Sequence, residues 1–504
     1  SDPLPPERYA PMKLYLTAHD YKYACEQIML TLFPGQRPLY PEEPAEERED
    51  QAHITLFRGE QWATGRTALT WAGKSAVGSC RVKTVGITGQ VELDRALQKA
   101  LKLSFYRAAV AVLGKEPPWG ALTGVRPVKI PTKALLRGET PAQAEALLRD
   151  TYHVTAVRRK LAMDCARASL AALDSLKEDE ISLYVGIPFC PTRCAYCSFV
   201  SADVGKALKL LPPYLEALFR EVEAAGDLLK RQGLYVRTVY IGGGTPTTLS
   251  AEQLSALMGH IRAHIDLSRC TEYTVEAGRP DTITAEKLAA LKENGADRVS
   301  VNPQSMSDQV LRAMGRSHTA ADILRAYELV QNSGIPCVNM DLIAGLPEDS
   351  RLGFRATLDQ VLSMDPANIT VHTLALKKGS RLMTEGGHLP TAEDVADMLD
   401  YAWTTLRGAG YVPYYLYRQK YMSGSFENVG WTKPGFENLY NICMMEELHS
   451  VLALGGGGVT KLVDRTAGRI ERISDPKYPY EYINTIDRII ADKEKLADFY
   501  AARR

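Results

Sequence analysis

The sequence predicts an α/β protein: a partial (β/α)6 barrel with an N-terminal α+β domain and an α+β C-terminal extension. Two observations carry that expectation. Six short β-branched runs (181–185, 238–241, 272–275, 298–301, 338–342 and 368–373) alternate with amphipathic stretches at 214–231, 251–265, 285–294, 320–333 and 351–363. Strands alternating with helices in this way form parallel sheets with helical crossovers, and a barrel or partial barrel closes such a series. The 504 residues also exceed the roughly 250–300 at which a single core stops growing, so flanking domains are expected. The divisions fall at 1–175, 176–375 and 376–504.

In the first region, 13–17 reads as a strand and 21–32 as a helix, followed by a Pro- and Glu-rich loop at 41–50. Strands are expected at 53–57, 67–71 and 80–85. Residues 93–113 keep helical periodicity without Pro or Gly until Gly114, and Pro117-Pro118-Trp119-Gly120 follows as a stop. Three further helices extend to Ser175. The third region is less regular, with an aromatic- and Gly-rich stretch at 411–458 and a charged final helix.

Apolar residues make up 45% and charged residues 24%, ordinary values for a globular chain. Sixty Lys+Arg balance sixty Asp+Glu, which argues against a dedicated nucleic-acid binder. No apolar run approaches the ~18 residues of a membrane span, and the start (Ser1-Asp2-Pro3-Leu4-Pro5-Pro6-Glu7) is unlike a secretory signal. The expectation is a cytoplasmic protein without a membrane span.

Of nine cysteines, Cys25, Cys80, Cys165, Cys270, Cys337 and Cys443 stand alone, as small buried hydrophobes do in reduced proteins. Cys190, Cys194 and Cys197 crowd into the loop after the first barrel strand at C-x3-C-x2-C spacing, with Pro188 and Pro191 opposing an immediate helix. Three thiolates in one short loop can wrap a face of a cubane. Such clusters usually take four Cys ligands, so three leave one iron open. A zinc site would want a fourth ligand and usually two separated pairs, and no Cys or His lies close by. The remaining alternative, three merely buried thiols, suits the Pro-rich, aromatic-flanked context poorly.

Further motifs fall at successive strand ends: Gly242-Gly243-Gly244-Thr245-Pro246, Glu276-Ala277-Gly278-Arg279-Pro280, Asn302-Pro303-Gln304-Ser305 and Met340-Asp341-Leu342-Ile343-Ala344-Gly345-Leu346-Pro347. Gly315-Arg316-Ser317-His318 lies in the loop between the last two. Singly, each suits turn or cap chemistry. Together they line the end of the barrel where βα loops carry function.

The cysteine spacing resembles the radical S-adenosylmethionine (SAM) superfamily, and the motif set resembles the oxygen-independent coproporphyrinogen III oxidases. The extra N-terminal region, including Trp119-Gly120-Ala121-Leu122-Thr123-Gly124-Val125-Arg126-Pro127, is similar to a coproporphyrinogen dehydrogenase-like branch. The resemblance implies a radical SAM barrel and a [4Fe–4S] cluster on Cys190, Cys194 and Cys197. It implies SAM on the open iron contacted by Tyr184, Gly243 and Glu276, with Tyr184 and Glu276 in catalytic positions. A second SAM site would use Gly244, Thr245, Gln304, Arg316 and Asp341, and Tyr196 would also touch a cofactor. The implied activity is oxidoreductase: oxidative decarboxylation of coproporphyrinogen III to protoporphyrinogen IX in haem biosynthesis. Its partners would be the tetrapyrrole and an electron donor such as flavodoxin or ferredoxin. Lys377, Lys378, Arg418 and Lys420 are candidate anchors for substrate carboxylates. The chain departs from the oxidase pattern in having Phe199 where a fourth Cys usually stands. It also lacks the His of the haem chaperones' His-Asn-x-x-Tyr-Trp segment, offering Glu427-Asn428-Val429-Gly430-Trp431 and Glu437-Asn438-Leu439-Tyr440 instead. The alternatives are a radical SAM methyl- or alkyltransferase or cyclopropanase, and a haem-binding chaperone.

Overall fold

The computed structural model describes residues 11–34, 36–43, 49–192, 194, 197, 202–203, 207–375, 388–419 and 426–503. The chain forms two compact units, 1–163 with 418–426 and 164–417 with 427–504.

The first unit contains β1 (Pro11–Thr17), α1 (Lys22–Leu32), β2 (Arg37–Leu39), β3 (Gln51–Arg58), β4 (Trp62–Trp71), β5 (Lys74–Lys83) and α2 (Gln90–Leu113). The strands form one sheet in the order β2-β1-β3-β4-β5. Alternation buries Met12, Leu14, Ile54, Leu56 and Leu69 against Leu97, Leu101 and Phe105 of α2. The helix stops at Gly114, whose φ of 67° suits glycine. Then come α3 (Lys129–Leu136), α4 (Pro141–Ala146) and α5 (Ala156–Ser175). Three details depart from the sequence reading, one being that β4 begins at Trp62 rather than at 67. The three-residue β2 was not expected, and β5 begins at Lys74 rather than at 80. Ala72 and Gly73, at φ 48° and 76°, make a two-residue hairpin turn that pairs Trp71 with Lys74 and extends the strand backwards.

The second unit holds the barrel strands β6 (Glu180–Ile187), β9 (Tyr235–Gly243), β10 (Glu272–Glu276), β11 (Arg298–Ser300), β12 (Cys337–Ala344) and β13 (Asn368–Thr373), with β7 (Phe189–Cys190) and β8 (Ala202–Asp203) as a separate two-stranded pair. Its helices are α6 (Leu211–Gln232), α7 (Ala251–His264), α8 (Ala285–Glu293), α9 (Asp308–Ala313), α10 (Ala320–Asn332), α11 (Arg351–Ser363) and α12 (Ala392–Gly408). Six strands, β6-β9-β10-β11-β12-β13, pair in parallel in sequence order, as the alternation predicts. The loops set the helix starts: Ser250 with Gln253, Thr319 with Asp322, and Thr391 with Asp394 form reciprocal capping boxes.

The third sequence region enters this same sheet. Its strands are β14 (Val412–Tyr417), β15 (Asn428–Thr432), β16 (Val451–Leu454), β17 (Val459–Asp464) and β18 (Arg469–Ser474). β15 and β14 extend the β13 edge antiparallel, and β16 pairs in parallel with β6, followed by β17 and β18. Both barrel edges are thereby paired rather than left as open templates. The remaining helices are α13 (Leu439–Glu446), α14 (Pro479–Asn484), α15 (Ile486–Lys493) and α16 (Lys495–Ala501). No helix among the described residues is long and apolar enough to cross a membrane.

Candidate active site

The cysteine loop is fastened to the glycine turn by backbone bonds. Gly244 N–H donates to Ile187 O at 2.8 Å and Thr245 N–H to Phe189 O at 2.7 Å. A Cβ on Gly244 would lie 2.4 Å from Phe189 O, so this approach requires glycine. β7 and β8 bracket the loop as a parallel pair. Thr245 Oγ1 then stands 3.5 Å from Cys190 Sγ.

From the end of β10, Arg279 reaches the second thiol: Nη1 donates to Cys194 Sγ at 3.7 Å and to Thr192 Oγ1 at 3.1 Å. Its Nε and Nη2 both hold Asp281 at 2.9 Å. Asp281 Oδ1 lies 3.6 Å from His318 Nδ1, and Arg316 Nη1 is 3.4 Å from His318 Nε2. Burial pushes the Asp281 carboxyl upward, but the bonds from His318 and Arg279 prevail and hold it well below the usual carboxylate range. Burial lowers His318 below the ordinary imidazole value, with the Asp281 bond opposing it.

Tyr184 of β6 pairs with Tyr240 of β9, which pairs with Thr274 of β10. The tyrosine rings stack with Tyr440 of α13, at 6.3 Å for Tyr184–Tyr240 and 4.4 Å for Tyr240–Tyr440. Tyr240 OH donates to Glu276 Oε1. Burial pushes the Glu276 carboxyl up to about 7; the Tyr240 bond opposes this and the charge of Asp341 adds to it. Gly243, at φ 109°, would place a Cβ 3.3 Å from Tyr184 OH, so Tyr184, Gly243 and Glu276 converge through this strand pair.

Gln304 adopts φ 66° and bridges to Leu342, donating its N–H to Asp341 O at 2.9 Å. Its Oε1 and Asn302 Oδ1 are buried without a hydrogen-bond partner among the described residues. Such orphaned acceptors are what a bound donor group would satisfy. Arg316 Nη1 donates to Asn302 O at 2.8 Å. Asp341 lies inside β12 rather than at its end, because β12 outruns β11. It accepts from Asn339 Nδ2 at 2.7 Å and faces His372 Nε2 at 3.6 Å. Burial raises the Asp341 carboxyl, and bonds from His372 and Asn339 outweigh it to give a lowered value.

Sequence reasoning did not assign Arg279, Asp281, His318, Tyr240, His372 or Tyr440 to the site. Arg279 and His318 lie inside barrel-end motifs, and Tyr440 lies in a stretch compared only with the chaperones' haem-binding segment, with nothing local to place it beside Tyr240. Tyr196, Phe199, Lys377, Lys378 and Lys420 lie outside the described residues. Arg418 belongs to the first unit, where it is buried and donates to Leu122 O at 2.6 Å beside Trp119. It is spent within that unit and is not a free carboxylate anchor. Of the isolated cysteines, Cys25, Cys80, Cys165, Cys337 and Cys443 are buried and Cys270 is half-buried.

Residues 184–361 match the radical SAM superfamily. The oxygen-independent coproporphyrinogen-III oxidase-like protein HemZ of Bacillus subtilis is 38% identical over 410 residues, spanning 80% of this chain and 82% of HemZ. The chain belongs to the HemZ family of radical SAM proteins. Haem chaperone HemW of Escherichia coli is 29% identical over 307 residues, 60% of this HemZ-family chain and 76% of HemW. The solved structure of E. coli coproporphyrinogen III oxidase HemN superposes with a TM-score of 0.52 at 23% identity, covering 64% of this chain and 73% of HemN. That likeness shows the radical SAM partial-barrel fold.

The family's cofactors are a [4Fe–4S] cluster and SAM. The residues fit both. Three thiols share one loop, a cationic donor faces one sulfur, and the buried amide oxygens of Asn302 and Gln304 lack donors.

Proposed function

We propose that this HemZ-family protein performs radical SAM oxidative decarboxylation of the propionate side chains of coproporphyrinogen III. Two of the propionates would each lose a β-hydrogen atom to the 5′-deoxyadenosyl radical, CO2, and one electron to an acceptor, leaving a vinyl group. The observation that carries this reading is the similarity to the oxidase-like HemZ over 80% of the chain, well beyond the barrel motifs.

When bound, the cluster and SAM supply the 5′-deoxyadenosyl radical that removes the hydrogen from the propionate β-carbon. Cys190, Cys194 and Cys197 would hold the cluster, with Arg279 compensating charge at Cys194. Glu276 and Tyr184 orient the amino end of SAM, with Gly243 giving backbone access. Arrival of an ammonium beside Glu276 draws its carboxyl, near 7, into the ionised form. Gly244, Thr245, Gln304, Arg316 and Asp341 form the second SAM position, where Arg316 meets a carboxylate and Asp341 ribose hydroxyls. An electron donor such as flavodoxin or ferredoxin would supply the reducing electron.

A haem-capturing role is less well supported. Neither Glu427-Asn428-Val429-Gly430-Trp431 nor Glu437-Asn438-Leu439-Tyr440 carries the His of the chaperones' haem-binding segment.

The deciding experiment is anaerobic incubation of the cluster-loaded protein with dithionite, SAM and coproporphyrinogen III, followed by liquid chromatography with mass detection. Substrate-dependent 5′-deoxyadenosine with stepwise CO2 loss is expected. Deoxyadenosine with a methylated or otherwise alkylated product would replace decarboxylation by transferase chemistry. Stoichiometric haem capture without SAM cleavage would overturn the reading.

A further inference from the structure

α7 follows the C-terminal end of β9 and runs back to the opposite end of the sheet, away from the cysteine loop. In such barrels the end bearing the βα loops carries chemistry, and the other end serves stability. His260 and His264 stand one helical turn apart on α7, so both imidazoles lie on one face. Their ring centroids are 4.5 Å apart. Glu223 of α6 joins them, with Oε1 3.2 Å from His260 Nε2. One ligand atom from each of the three residues lies within 4.8 Å of the others.

The convergence is built into the helix crossing. A Cβ on Gly226 would lie 2.2 Å from His264 O, so only glycine allows α6 to touch the last turn of α7 there. Glu223 is three residues earlier and therefore on the same face of α6. His260 is further fixed against Phe219, with ring centroids 4.6 Å apart; its Nε2 also lies 3.2 Å from Phe219 O, a contact that a metal bound at this nitrogen would replace. The C-terminal turn of α7 also presents the negative end of its helix dipole, which favours a cation.

We propose that Glu223, His260 and His264 form a divalent-metal site of the zinc class that clamps α6 to α7. Two imidazoles and a carboxylate are a recognised ligand set for zinc, and the half-exposed side chains can close to its ~2.0–2.2 Å bond lengths by rotamer adjustment. Water would complete the tetrahedron. The residue after His260 is the buried Ile261, not the glutamate that serves as base in the hydrolytic H-E-x-x-H arrangement. The ion would therefore be structural. The inference rests on neither the cluster nor the proposed reaction.

The test uses anaerobic, cluster-loaded protein, so that Cys190, Cys194 and Cys197 are already occupied, with zinc as the probe. After one equivalent of Zn2+ and dialysis, zinc-edge X-ray absorption should show nitrogen and oxygen ligands with imidazole scattering and no sulfur. Titration calorimetry should find binding at least tenfold weaker in His264→Ala and in Glu223→Gln, and zinc should raise the melting temperature of the parent protein only. Both substitutions are at half-exposed positions, and unchanged circular dichroism would confirm folding. Sulfur ligation, no zinc retention, or equal retention by the variants would each overturn the proposal.

Discussion

Arg279 donates to Cys194 Sγ at 3.7 Å while two further donors grip Asp281 at 2.9 Å each, so its guanidinium is held in a fixed pose against the thiol. Hydrogen bonds to cluster sulfurs raise the reduction potential by stabilising the added electron. Arg279→Gln should therefore leave iron content unchanged, lower the cluster midpoint in an EPR-monitored titration, and slow SAM cleavage about tenfold, roughly 1.4 kcal/mol of barrier. An unchanged midpoint would reduce Arg279 to a brace for the loop.

Glu276 couples stability and SAM binding to pH in opposite senses. Its folded value of about 7 exceeds the ordinary 4.5, so the folded state favours the protonated form. That stabilisation is full below about pH 4.5 and is lost as the pH rises through 7. Glu276→Gln should therefore melt higher than the parent at pH 8, by about 1 kcal/mol or about 2–4 °C, and converge with it near pH 5. SAM affinity of the parent should instead rise between pH 6 and 8, as the carboxylate forms, and stay low and flat in the variant. Melting curves and equilibrium dialysis across this range check both.

Gly244→Ala should separate cluster assembly from folding. The added methyl would meet Phe189 O and Ile187 O, at 2.4 and 2.9 Å, and push the cysteine loop off the turn. Circular dichroism should be nearly unchanged, while iron and sulfide content after reconstitution falls by more than half. Full cluster content would show that the loop docks without this contact.

Glu272 holds the start of α13 to the barrel. Its carboxylate accepts from Leu439 N at 2.7 Å and Tyr440 N at 2.9 Å and lies 3.6 Å from Arg298. Glu272→Ala strands a buried cation and two backbone donors, at an expected cost of about 3–5 kcal/mol in urea unfolding. Because α13 delivers Tyr440 to the tyrosine stack, SAM affinity should fall as well.

Much of this was legible from local pattern. Five of the six barrel strands match the β-branched runs within a few residues at each end, and Asn368–Thr373 matches at both. Buried parallel strands demand continuous apolar runs, and capped amphipathic helices announce their starts. Asp341 was placed at a strand end because its loop motif begins there; the longer pairing of β12 with β13 carries the strand past it. The β5 start was missed because its hairpin turn uses Ala72 at a positive φ, without the usual Asn or Asp signal.

By itself, the sequence determined the series of strands and helices and the clustering of Cys190, Cys194 and Cys197, since both depend on spacing along the chain. It also brought glycine, glutamate and glutamine motifs to one end of the barrel, because each follows its own strand directly. Only the tertiary structure decided that residues beyond 411 pair with both edges of the barrel sheet. Only it joined Arg279 to Cys194 and Tyr440 to Tyr240. Those contacts link residues 85 and about 200 positions apart, and such pairings are set by how the elements pack, which no local periodicity records.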